Sequence, residues 1–117
     1  MATRAEAMKY LRNIEGMREG DDGLFSYVVS WDEDGRSQLV FLKVVDDFIA
    51  LTSAFAEKDA ISAHKALDLA VIFGVTDMGN HYGLRHVLFL EDLDESEVGN
   101  SVHLLAARAD ILESQVG

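Results

Sequence analysis

The clearest structural signal in the chain is residues 39–55, LVFLKVVDDFIALTSAF. Residues 39–45 are almost continuously apolar, interrupted only by Lys43, which is typical of a strand that is at least partly covered on both faces. The DD pair that follows favours a tight turn, and residues 48–55 form a second strand-like run. The sequence therefore predicts two antiparallel strands, the first of them central in a sheet.

Another strand precedes this pair. Residues 24–31 alternate with a period of two, which indicates a strand with one more apolar face. The bulky side chains of that face are Phe25, Tyr27, Val29 and Trp31. Because the segment DEDG at 32–35 favours a turn, we predict an antiparallel meander over residues 24–56.

A helix is predicted on each side of the meander. Thr3 and Glu6 have the spacing of a capping box at the start of the first helix, about residues 4–15. Asp59 is the expected cap of the second helix, about residues 60–71.

The remaining residues predict a hairpin and a third helix. Residues 73–78 and 84–91 are strand-like and flank GNHYG at 79–83, which is rich in residues that tolerate turn conformations. Asp94 and Glu97 repeat the capping-box spacing. The apolar residues that follow at helical spacing are Val98, Val102, Leu105, Ala109, Leu112 and Val116. The order of helix, three strands, helix, hairpin and helix indicates a small α+β fold.

Composition limits the class of protein. At 117 residues, with 49% hydrophobic residues, the chain has room for one core, so we expect a single domain over residues 1–117. A net charge of −11 disfavours nucleic acid and anionic membranes as partners. The acidity fits a basic partner and, equally well, simple solubility. Without cysteine, a secretory signal or a membrane-spanning apolar run, the chain is expected to be cytoplasmic.

Catalytic, cofactor and metal sites are not predicted. The chain has four histidines, His64, His81, His86 and His103. Their spacing matches no metal-ligand motif. His64 and Asp68 are one helical turn apart and could form an acid–base pair, but an ordinary surface or interface pair is far more common. His81 and Tyr82 in the predicted turn are a weaker candidate for a loop site. The sequence therefore argues against an enzyme.

The second helix suggests self-association. It is apolar around most of its circumference, and such a helix is expected to be covered on two sides, by its own sheet and by something else. We therefore expect a homodimer. The candidate interface residues on this helix are Ile61, His64, Asp68 and Val71.

The sheet suggests a second apolar surface. The sequence leaves bulky apolar residues on both alternating faces, so the bulky face of residues 24–31 is a candidate for binding a partner. Its candidate partner-binding residues are Phe25, Tyr27, Val29 and Trp31, and they are set against Val40, Leu42, Ile49 and Leu51 of the next two strands. If the helices instead lie on both faces of the sheet, all these residues become ordinary core.

Three stretches carry a family resemblance: FLKVVDDFIAL at 41–51, VLFLEDLD at 87–94 and ADILE at 109–113. With the order of elements, they resemble the YbjN family of bacterial proteins, which has the type III secretion chaperone-like fold. The resemblance implies a small acidic homodimer that binds protein segments on hydrophobic surfaces, without enzymatic activity or a cofactor. In such chaperones the second helix and its neighbouring strand commonly build the dimer contact, which adds Phe73 and Val75 to the candidate interface.

Three functions follow from these observations. The first is a non-enzymatic homodimeric protein-binding module, chaperone-like or regulatory, with a protein or peptide client. The alternative is a small-molecule-binding sensory or regulatory domain, with its ligand between sheet and helix near Tyr82 or Trp31. The third is an enzyme that uses His64 with Asp68 or His81.

Overall fold

The computed structural model describes residues 3–31, 33 and 35–116, which form one six-stranded sheet and three α-helices. The strands are β1 Arg18–Glu19, β2 Leu24–Trp31, β3 Arg36–Val44, β4 Phe48–Glu57, β5 Gly74–Asp77 and β6 His81–Phe89. The helices are α1 Arg4–Arg12, α2 Ala63–Ala70 and α3 Glu95–Val116, and a short 3-10 helix, Leu90–Asp92, precedes α3. The sheet order is β1-β2-β3-β4-β6-β5, with antiparallel neighbours throughout. The α+β prediction and the β2–β4 meander are confirmed.

Two helices begin at their predicted caps. The Thr3 hydroxyl accepts a hydrogen bond from the Glu6 amide, and the Glu6 carboxylate accepts one from the Thr3 amide, so the capping box of α1 is complete. The Asp94 carboxylate accepts from the Glu97 amide at 2.8 Å at the start of α3. Helix α1 is shorter than predicted and ends at Arg12.

The cap predicted for α2 is wrong. A turn in which the Ala60 amide donates to the Glu57 carbonyl follows β4, so the helix starts later. Ser62 is the cap instead of Asp59, because the Ser62 hydroxyl accepts from the Lys65 amide at 3.1 Å.

The β5–β6 hairpin has a tighter turn than predicted. The Met78 amide donates to the His81 carbonyl, and Gly79 adopts a φ of +87°, which glycine tolerates without strain. His81 and Tyr82 therefore lie in β6, where they pair with β4, and not in a loop. The other predicted turn, at 32–35, includes Asp32 and Asp34, which are outside the described residues.

Helices α1, α2 and α3 pack on the same face of the sheet. Helix α3 crosses β3, β4 and β6, α1 contacts α3 and β3, and α2 contacts β5 and β6. The Arg108 guanidinium of α3 also donates to the Leu69 carbonyl of α2 at 3.5 Å. Side chains from all three helices belong to one core cluster with alternate residues of the strands. The possibility that the helices are split between the two faces is therefore wrong.

The register corrects which strand residues share a face. Phe25 lies opposite Leu42, and Leu42 lies opposite Leu51. Directly opposed residues of an antiparallel sheet point to the same side. The bulky side chains of β2 and the apolar side chains of β3 and β4 that lie opposite them thus form one core under the helices. Alternation alone could not show this, because it does not fix how neighbouring strands align.

The sheet splits between β3 and β4. Their described ladder has four rungs and stops at Phe41 and Thr52. Beyond that point, buried side chains connect the strands: Gln38 Nε2 donates to Ser53 Oγ at 2.9 Å and to the Ala54 carbonyl, and Ser53 Oγ donates to the Leu39 carbonyl at 2.7 Å. These bonds satisfy backbone groups that the ladder leaves unpaired.

Candidate functional site

The side of the sheet away from the helices is apolar and accessible, and we call it the open face. Its large apolar residues are Leu24, Val28, Leu39, Phe41, Phe48, Val87 and Phe89. Val28 is 52% exposed and Phe89 is 65% exposed. Val28 lies directly opposite Leu39, so their side chains form one continuous apolar patch on β2 and β3. An exposed apolar patch of this kind is a candidate interaction surface.

Small side chains give the open face a shallow floor. Ala50, Thr52 and Ala54 are alternate residues of β4 and point to this side. They lie between the larger side chains of β3, including Phe41, and those of β6, including Val87. The floor therefore leaves room along β4 for apolar side chains of another segment.

A second apolar surface lies at the end of α2, and we call it the α2 patch. It consists of Leu67, Val71 and Ile72, which are 63%, 71% and 76% exposed. Ala66 and Ala70 on the opposite side of the helix are buried against the core. Helix α2 is thus covered on one side in the isolated chain, while its other side presents large apolar residues to solvent.

The backbone is strained at the α2 patch. Val71, the C-terminal cap of α2, has φ 56° and ψ −89°. A β-branched residue rarely adopts a positive φ, and such a conformation costs about 1–3 kcal/mol. Because residues held in strained conformations cluster at functional sites, this outlier adds weight to the patch as a site of interaction.

The structure separates the six candidate interface residues into exposed and inward-facing groups. His64 and Asp68 are exposed, with 3.8 Å between His64 Nε2 and Asp68 Oδ2, and Val71 is exposed beside them in the chain. Ile61 and Val75 are half-buried and pack against the core. Phe73 is buried, and its ring contacts His86 edge-on at 5.8 Å. Leu67 and Ile72 were missed, although the apolar character of the helix region was a signal for both.

The four candidate partner-binding residues face the helices. Phe25 and Val29 are buried, with 1% and 4% of their surface exposed. Tyr27 and Trp31 are half-buried and pack against the same core. Tyr27 also meets His103 of α3 edge-on, with ring centroids 6.2 Å apart. Binding through these residues stays a prediction, but it would require the helices to move. The accessible apolar residues of β2 are their neighbours, including Val28.

A cleft of about 300 Å³ lies between the end of α3 and the bulged end of β4. Phe55 and Val116 line its apolar part, and His81, Glu57 and Glu113 line its polar part. Tyr82 and Trp31, near which we expected a small-molecule site, are absent from its described lining. Its volume is at the lower end of the range for ligand pockets.

Within the described residues, no three His, Asp or Glu side chains are placed to hold a metal ion together. Among the described helices, none is both long and apolar enough to cross a membrane. The His64–Asp68 pair has side chains that are 89% and 67% exposed, so water screens the interaction between them.

Two solved structures are similar to the whole chain. A chain in the crystal structure of the ExsC-ExsE complex is 13% identical, with a TM-score of 0.69 over 99% of this chain and 97% of that one. An uncharacterized protein from Methanothermobacter thermautotrophicus is 19% identical, with a TM-score of 0.52 over 97% of this chain and 99% of that one. No protein-family model and no curated protein matches the sequence. The described residues thus have the α+β fold of type III secretion chaperone-like proteins.

Proposed function

We propose that this chain is a non-enzymatic, homodimeric protein-binding module, chaperone-like or regulatory in kind. The observation that carries the proposal is the packing of α1, α2 and α3 on one face of the sheet, which leaves Val28, Leu39 and Phe89 accessible on the other. Covering this apolar surface with a partner removes it from water, which is favourable. The likeness to a chain of the ExsC-ExsE complex supports the proposal, because that structure is itself a complex.

We assign the two apolar surfaces different roles. The α2 patch mediates self-association, and the open face binds a segment of the client. Lys65 and Asp68 flank the α2 patch with opposite charges. In a two-fold contact each charge can pair with its opposite on the second copy, so the patch suits an isologous interface.

The order of elements and the stretches at 41–51, 87–94 and 109–113 also support a finer assignment. We propose that the chain is a YbjN-like protein with a single domain over residues 1–117, acting in the cytoplasm. Its client is a protein or peptide, in keeping with the open face and the acidic composition.

The dimer is tested by size-exclusion chromatography with light scattering. Ile72→Asp puts a charge in the α2 patch at a position that is 76% exposed, so the variant folds normally and runs as a monomer. The matched control is Leu104→Asp, at an exposed apolar residue of α3, and it stays dimeric. A monomeric wild type, or a dimer that both substitutions leave intact, would contradict the assignment of the α2 patch.

A second candidate function is small-molecule sensing in the cleft at the end of α3. The observation in its favour is the combination of an apolar lining with the carboxylates of Glu57 and Glu113. A compound that binds there raises the melting temperature of the wild type. The rise is lost in Val116→Trp, which fills the cleft. An equal rise in both proteins would assign the compound to another site.

A further inference from the structure

The open face is basic, although the protein as a whole is strongly acidic. The chain has 21 acidic and 10 basic residues. Among the described strand residues that point to the open face before the bulge in β4, three are cationic, Arg18, Lys43 and Arg85, and none is acidic. Glu57 lies beyond that bulge and lines the cleft at the end of α3. The excess of negative charge therefore lies on other surfaces. The open face carries both exposed apolar side chains and cationic side chains.

Two of these cations lie at opposite ends of one row of the sheet. The row runs across the strands through Arg18, Ser26, Phe41, Thr52 and Arg85. Four strand spacings separate its ends, a distance of roughly 19 Å. Phe41 stands midway, so an apolar centre has a guanidinium on each side.

The two arginines are available to a partner. Arg18 and Arg85 are exposed, and neither forms an ion pair with another residue that the structure describes. Lys43 differs, because its ammonium contacts the carbonyl and carboxylate oxygens of Asp22. Arg18 and Arg85 can therefore each form charge-assisted hydrogen bonds with an incoming carboxylate.

We propose that the open face binds an amphipathic, acidic segment of a partner protein. This inference rests on the proposed protein-binding function and specifies its client. Apolar side chains of the segment cover Val28, Leu39 and Phe41, and its carboxylates pair with Arg18 and Arg85. Negative charge elsewhere on the protein repels such a segment, so the charge pattern directs it to this face. The overall charge fits a basic partner or simple solubility equally well, whereas the local charge of the open face favours an acidic partner.

The charge pattern also argues against a second copy of the chain on this surface. In a two-fold contact the same face of each copy is buried against the other. Arg18 and Arg85 would then face a surface that carries the same two guanidinium groups and few carboxylates. Like charges brought together in this way oppose association.

Two fluorescein-labelled peptides test the proposal. The acidic peptide has leucines at helical spacing with glutamates on both flanks, and its twin has lysines in place of the glutamates. Fluorescence anisotropy measures their affinity for the full chain. The wild type binds the acidic peptide about tenfold more tightly than the twin, and added salt narrows this difference.

Charge-reversal variants localise the binding. Arg18→Glu/Arg85→Glu reverses the preference for the acidic peptide. Arg4→Glu/Lys9→Glu makes the same change in net charge at two exposed residues of α1 and keeps the preference. Thermal melts followed by circular dichroism verify that each variant is folded.

Several results would overturn the inference. They are equal binding of the two peptides, tighter binding of the lysine twin, no binding of either, and indifference to the reversal of Arg18 and Arg85. If both peptides bind the wild type and Val28→Asp abolishes their binding, the protein-binding function stands and only the acidic client is wrong. If Val28→Asp converts a dimer into a monomer, the open face is a contact between copies instead.

Discussion

Val28 and Leu39 lie directly opposite each other on β2 and β3 and are 52% and 42% exposed on the open face. The residues next to them in the chain, Val29 and Val40, are 4% and 0% exposed beneath the helices. A step of one residue along either strand therefore separates the core from the candidate binding surface. This relationship makes the assignment of faces testable with conservative substitutions.

The first prediction concerns the two faces of β2. Val28→Thr keeps the β-branched shape on the exposed side, so the free energy of unfolding changes by no more than about 0.5 kcal/mol. Phe25→Ala removes a buried ring and lowers the free energy of unfolding by about 3–5 kcal/mol. Urea denaturation measures both. Similar losses for the two variants would mean that the faces are wrongly assigned.

The second prediction concerns the strained cap of α2. Val71→Gly relieves the positive φ and raises the free energy of unfolding by about 1 kcal/mol, while self-association weakens because an exposed apolar side chain is lost. Val71→Ala is the control, since it removes the side chain but keeps a β-carbon. Thermal melts and light scattering at several concentrations measure the two effects. Destabilisation by glycine would show that the strain contributes little.

The third prediction concerns the split between β3 and β4. Ser53→Ala removes the hydroxyl that connects Gln38 to the Leu39 carbonyl, and leaving buried polar groups unpaired costs about 1–3 kcal/mol. Ser37→Ala, at an exposed residue of β3, is the control and has little effect. Equal stability of the two variants in urea would indicate that these bonds do not hold the strands together.

The fourth prediction concerns pH and the cap of α3. Hydrogen bonds from the Ser96 hydroxyl and the Glu97 amide hold the pKa of Asp94 below its ordinary value. A carboxylate with a lowered pKa stabilises the fold above its unfolded-state pKa and loses that effect as the pH falls through its folded-state pKa. The wild type therefore melts above Asp94→Asn near neutral pH, and the gap closes in acid, below about pH 4. A gap that is independent of pH would contradict the role of the charge.

Local signals in the sequence predicted the elements of the fold well. The caps at Thr3 and Asp94 and the alternation in β2 depend on residues within a few positions of one another, so the chain itself carries the information. The cap of α2 was predicted at Asp59 and not at Ser62 because both residues are acceptable helix caps and they lie close together in the chain. The turn after β4 decides between them.

The two candidate surfaces were harder to predict because they depend on relations between distant segments. Alternation shows that β2 has a bulky face but not which face the helices cover, so it favours Phe25 as a binding residue, whereas the structure buries Phe25 and leaves Val28 accessible. The row that joins Arg18 to Arg85 depends on four strand registers, none of which is visible in the sequence. Net charge likewise concealed a basic face within an acidic protein.

The most direct measurement is a nuclear magnetic resonance titration of the protein, labelled at valine and leucine methyl groups, with the acidic amphipathic peptide and its lysine twin. Each methyl group reports its own side of the sheet. If a partner segment covers the open face, the methyl signals of Val28 and Leu39 shift strongly, while those of Val29 and Val40 shift little. Shifts confined to Leu67 and Val71 of the α2 patch, or no shift with either peptide, would contradict the account.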